Sequence, residues 1–190
     1  MISFEWSTGY SQAELDHAQE KFELVFPPDL IALLRERRPV AGHAWTDEAA
    51  IRRALAWPIE SLLTSVARGF AWRPEWGEKP ESPDARKEVA RPFVSRAPKL
   101  IPLFSHSYLP EQPHEAGNPV LSAFYSDVIY YGLNLADYIE REFGGEYNRP
   151  MPPPQQIRRI AFWSDLIVRH GWVTSTENLV MDIPSPSYPR

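Results

Sequence analysis

The chain has 190 residues, a formal net charge of -5 and an apolar fraction of 43%, which suits one folded domain with its own core. It contains no cysteine, so disulfides, thiolate metal sites and a cysteine nucleophile are excluded. The mild acidity disfavours nucleic acid as a direct partner, since that affinity comes from clustered Lys and Arg, and no stretch reaches the roughly 18 apolar residues of a membrane span.

The opening MISFEWSTGY has neither a basic start nor a long apolar run, so no secretory signal is expected there and the expected location is the cytoplasm. Ser11-Gln12-Ala13-Glu14 has the form of a capping box. Leu15, Ala18, Phe22 and Val25 follow at helical spacing, predicting a first helix that ends before Pro27. Pro27-Pro28-Asp29 restarts the chain in a second helix with an apolar face of Leu30, Ile31, Leu33 and Leu34, and Arg35 to Arg38 complement the dipole at its end. Val40 to Trp45 reads as a short edge strand or a turn. Asp47 or Thr46 caps a helix carrying Ile51, Ala54 and Leu55. Trp57-Pro58 then either kinks it or opens another with Ile59, Leu62, Leu63 and Val66, and Gly69 is placed to end that run. From Glu78 to Arg96 charges alternate with three prolines, which predicts a solvated crossing with helix over Asp84 to Val89.

The stretch from Arg96 to Gly144 predicts strand, loop, strand, turn, strand and helix. The strands are Lys99 to Phe104, Val120 to Tyr125 and Val128 to Tyr131, and the two-residue link Ser126-Asp127 favours an antiparallel hairpin. Gly132 breaks the last strand, Asn134 caps a helix with Leu135, Tyr138, Ile139 and Phe143 on one face, and Gly144-Gly145 stops it. Ile157, Ile160, Ala161, Trp163, Leu166 and Ile167 predict a C-terminal helix over about 155–169 closing near His170-Gly171, and the proline-rich tail over 182–190 predicts an extended strap or disorder. The order of elements gives an α+β fold: a small, mostly antiparallel sheet packed with several α-helices, in a single domain over 1–190.

Two blocks of this sequence carry a family resemblance. The long one, LIPLFSHSYLPEQPHEAGNPVLSAFYSDVIYYGLNLADYIEREF, resembles the SUKH superfamily, which includes fungal cell-wall synthesis regulators and many bacterial immunity proteins. The short one, Gly69-Phe70-Ala71-Trp72-Arg73-Pro74-Glu75-Trp76-Gly77, is similar to a tryptophan-rich segment upstream in one bacterial branch. Both occur in the expected order, within about 49–77 and 96–144. The resemblance implies a SUKH-like α+β domain without catalytic residues or cofactor: a cytoplasmic toxin-immunity or regulatory protein whose partner is another protein, for instance a basic toxin such as a nuclease.

The residues themselves offer two places for function. Trp72, Arg73, Glu75 and Trp76 put large rings and both charges on a proline-stiffened loop, the residue types that dominate binding hot spots. With Tyr108 and Tyr131 they form the candidate partner-binding set. Trp72 and Trp76 can equally pack on the sheet, and Tyr130 and Tyr131 alternate, so that one of the two faces the core. Glu75, Glu78, Glu81, Asp84, Glu111 and Glu115 are candidates for an acidic face. On this reading Trp76→Ala or Glu75→Lys weakens capture of a partner and leaves the thermal midpoint nearly unchanged. The alternative is a small-molecule or metal site, hydrolytic or not, around His106, Tyr108, His114 and Asp127, with Glu115 nearby. His106 and His114 lie in one proline-containing loop and not at the i, i+4 spacing that shares a helix face, so no metal is expected. No nucleophile elbow, P-loop or dinucleotide fingerprint is present, and the chain is not expected to be an enzyme.

Overall fold

The structure is a computed structural model that describes residues 5–40, 42–146 and 148–169. Strand β1 (Trp6–Thr8) is followed by helix α1 (Gln12–Phe22), which starts on the capping box: Ser11 accepts from the Glu14 amide while the Glu14 carboxylate receives the Ser11 amide at 2.7 Å. The helix ends at Phe22, short of Pro27. Glu23 turns into the left-handed region at φ 53, Leu24 and Phe26 swing into the core, and Val25 is left 46% exposed. Helix α2 (Pro28–Glu36) uses Pro28 in its first turn.

The basic block then departs from a purely helix-end role. Arg37–Pro39 form strand β2, antiparallel to β1, with Arg37 stacked over Trp6 and Arg38 over Tyr10. The edge strand therefore lies just before Val40, and the Gly42 amide turns back onto the Pro39 carbonyl at 3.0 Å.

Helix α3 (Glu48–Ala67) is one continuous helix through Pro58. Proline has no N–H to give the Ala54 carbonyl one turn back, and the Tyr108 hydroxyl supplies a bond to that oxygen at 3.2 Å. Gly69, at φ 92, closes the helix as expected, with the Phe70 amide returning to the Ser65 carbonyl at 3.0 Å. The charged crossing that follows is more ordered than its composition suggests. Helix α4 (Pro83–Val94) is capped by Ser82 and buries Ala90 and Val94, so the helix runs well beyond Asp84 to Val89.

Four strands form an antiparallel meander in chain order: β3 (Leu100–Phe104), β4 (Ser107–Pro110), β5 (Val120–Phe124) and β6 (Asp127–Gly132). Strand β4 falls in what the sequence presents as loop. The β5–β6 hairpin turns on Tyr125-Ser126, one residue earlier than expected, with Tyr125 at φ 56. Gly132 sits against helix α5 (Leu135–Phe143), where a Cβ would lie 2.7 Å from that of Tyr138. Asn134 caps α5 by accepting from the Asp137 amide.

Beyond α5 the expected helix over 155–169 shrinks to α6 (Trp163–Arg169). Ile157 and Ile160 are buried as its periodicity suggests, but Phe162 is left-handed at φ 65 and the Ile160 amide bonds the Ser164 hydroxyl at 2.7 Å, so residues 157–162 pack as a strap. The expected stop at His170-Gly171 and the tail lie outside the described residues.

The sheet is covered on both faces. Tyr108, Leu121, Ala123, Val128 and Tyr130 pack with Leu62, Leu63 and Val66 of α3, Ala90 and Val94 of α4, and Trp163 of α6. Ile101, Leu109 and Val120 pack on the other face with Leu15, Leu30 and Leu34 of α1 and α2 and with Tyr138 of α5. Alternation along each strand sends neighbours to opposite clusters. The result is an α+β fold with its sheet between two helical layers.

Candidate functional site

The tryptophan-rich block links α3 to α4 and is braced from beneath. Trp76, in a short 3-10 turn over Pro74–Trp76, is 6% exposed; it receives the edge of Trp72 at 5.4 Å and stacks on Phe93 of α4 at 6.1 Å. Arg73 is 7% exposed, with its guanidinium 4.8 Å from the Phe162 ring and its Nη1 3.6 Å from Glu75. The Trp72 indole donates to the Gly77 carbonyl at 3.1 Å. Two of the four candidate residues here, Arg73 and Trp76, are therefore packing residues. Half-buried Trp72, exposed Glu75 and Phe93 (38% exposed) make up the accessible side.

Two cations of the same segment are bonded to the main chain. Lys79 donates to the Gly69 carbonyl at 2.7 Å, and Arg86 donates to the Pro80, Ala67 and Glu81 carbonyls at 2.7, 2.9 and 2.8 Å. Glu75, Glu78, Glu81 and Asp84 are exposed. These cations are thus engaged by the main chain or by a ring, and the four carboxylates share the exposed surface with Lys79. Glu111 and Glu115 do not join this face: Glu111 is buried and accepts the Val25 amide at 2.6 Å, and Glu115 pairs with Arg158 at 3.7 Å.

Tyr108 is almost fully buried beneath α3, and burial pushes its phenol well above the ordinary range. Tyr131 is half-buried; burial, and after it the hydrogen bond with Glu142, raises its phenol to about 12. The pair Tyr130 and Tyr131 divides as the alternation predicts, with Tyr130 in the core and donating to Ser164 at 2.6 Å.

The second candidate set is dispersed among separate partners. His114 Nε2 meets the Phe26 carbonyl at 3.0 Å, between α1 and α2. His106 lies in the β3–β4 turn, bonded to the Ser105 hydroxyl at 3.0 Å and with its ring 5.7 Å from Phe124. Asp127 is exposed at the start of β6. Among the described residues no group of three or more His, Asp or Glu is placed to hold a metal ion.

His106 and Tyr108 do share a cleft, of about 450 Å³, between α3 and the β3–β4 turn. The small side chains of Ala50 and Ala54 open it on the helix side, where Arg53 and Trp57 flank it, while His43, Ser105 and Phe124 stand opposite. Trp57, 36% exposed, lies 6.1 Å from Phe124 and 5.6 Å from Tyr125, ring to ring. His43 is held below the ordinary imidazole range by burial, against the opposing effect of its bond to the Ser105 main chain, and its Nε2 is buried without a partner. The spacing of Ala50, Arg53, Ala54 and Trp57 on one helix face was the available signal for this cleft, but nothing local tied it to His43 or His106.

No protein-family model, no curated protein and no solved structure matches the chain.

Proposed function

We propose that this chain is a non-catalytic protein-binding module of SUKH type, acting in the cytoplasm as a toxin-immunity or regulatory protein, and that its partner presents a basic surface. The observation that supports this most is the state of the charges around the tryptophan block: exposed carboxylates beside cations that are already engaged. Exposed Glu75, Glu78, Glu81 and Asp84 border an accessible aromatic surface of Trp72 and Phe93, and the nearby cations are engaged, Lys79 and Arg86 by main-chain carbonyls and Arg73 by the Phe162 ring. Carboxylates around fixed rings give electrostatic steering at the rim and apolar contact at the centre. The same combination suits a protein that occupies the nucleic-acid-binding face of a nuclease.

The test is affinity capture from the native lysate with wild type and the double variant Glu78→Lys/Glu81→Lys. One basic protein that is retained by wild type, released by salt and lost by the folded variant is the expected outcome. A folded bait that captures nothing, or captures the same protein after charge reversal, overturns the proposal.

A further inference from the structure

We infer that the cleft between α3 and the β3–β4 turn binds a small aromatic carboxylate. It shares no residue with the tryptophan-block surface, so the inference stands apart from the partner proposed above. At about 450 Å³ the space matches a bicyclic ring with a short acidic arm. Two features of its wall select that chemistry.

The first is the aromatic wall. Trp57 touches Phe124, and Phe124 touches His106 at 5.7 Å, giving a continuous surface of ring faces and edges against which a flat ligand can lie. Ala50 and Ala54 keep the helix side clear beside Trp57, because any larger side chain at either position would project into the trough.

The second is charge. Arg53 is the one formally charged group lining the cleft among the described residues, and it makes no ion pair there. Its neighbours on α3 differ: Arg52 is held by Glu48 at 2.8 Å, and Glu60 by Arg91 at 3.3 Å. An uncommitted guanidinium beside an apolar wall recognises a carboxylate through its two-pronged donor geometry.

Ligand-observed NMR titrations with the full chain decide the matter, using indole-3-acetate and indole-3-acetamide as probes. The acetate binds saturably, and the amide binds at least tenfold more weakly for lack of charge. Arg53→Gln, a change on the exposed helix face, removes the preference for acid over amide, and Ala54→Leu fills the trough and abolishes binding, with both variants checked for an unchanged unfolding midpoint. No saturable binding of the acetate at millimolar concentration, equal binding of acid and amide to wild type, or binding undiminished in folded Ala54→Leu each overturns the assignment.

Discussion

At the level of single side chains, Trp76 and Arg73 separate what attracts attention in a sequence from what is available on a surface. Trp76→Ala removes a ring enclosed by Trp72, Phe93 and the Arg73 guanidinium, so it costs about 3–5 kcal/mol and lowers the melting temperature by roughly 10 °C. Thermal unfolding followed by circular dichroism checks this, and the outcome differs from that expected for a loop tryptophan free to bind. Glu78→Lys, on the exposed segment, shifts stability by no more than about 0.5 kcal/mol. A second buried cation gives a companion case. Arg141, 3% exposed, donates to Asp137 at 2.7 Å and to the Arg149 and Pro150 carbonyls, tying the loop after α5 back to the helix. Asp137→Ala strands that guanidinium and costs about 3–5 kcal/mol in denaturant titrations. The richness of the tryptophan block was legible from its residues. Its orientation was not, because the rings that pack against it, Phe93 and Phe162, belong to the following helix and to the segment before α6.

Between elements, the tie between α3 and β4 is the most instructive. Pro58 leaves the Ala54 carbonyl without a helical donor, and Tyr108, a strand residue, fills that vacancy. Tyr108→Phe should therefore cost about 0.5–1.5 kcal/mol in the wild-type background and distinctly less in Pro58→Ala, where a new amide can reach the same oxygen. A double-mutant cycle by urea unfolding measures the difference; additive losses would show that the two residues act separately. Capping boxes, Asn134 and Gly69 were readable because each acts within one turn of its own helix. Strand β4 escaped reading because Ser107–Pro110 is buried at every position and flanked by histidine and prolines, so neither period-two alternation nor a bordering turn marks it. The strap at 157–162 was misread for the opposite reason. Buried Ile157, Ile160 and Trp163 satisfy helical spacing, but a spacing of three also fits an irregular segment pressed against one surface.

Across the whole molecule, burial of ionisable groups sets the pH range of the fold. Tyr108, Tyr131 and Tyr138 are all raised by burial, so the folded state keeps protons that the unfolded chain releases near its ordinary value of about 10. Their stabilisation is full below that pH and is lost as pH rises from there through the folded values, and the urea midpoint should fall steeply above about pH 10. At the acid side His43 is lowered by burial, so the unfolded chain takes up its proton first and stability declines as pH drops below about 6.5. Asp137 follows further down. Burial opposes its ionisation, but the Leu133 amide, Arg141 and Arg149 outweigh it, so its contribution is present above the usual carboxylate range and lost as pH falls through its depressed value. A plateau between about pH 7 and 10 with two such shoulders is the expected profile. The α+β class was legible at this scale from element order alone, whereas the pairing of two core clusters across one sheet required the register of β4.

The perpendicular contact of Trp72 and Trp76, with interplanar angle 90° and centroids 5.4 Å apart, also makes the molecule optically self-reporting. Two indoles this close share their excited states, and the coupled transition gives a paired positive and negative band in far-ultraviolet circular dichroism that neither ring shows alone. Any ligand or partner that tilts Trp72 alters the sign or size of that band while backbone signals stay constant, so occupancy of this surface can be followed without a label.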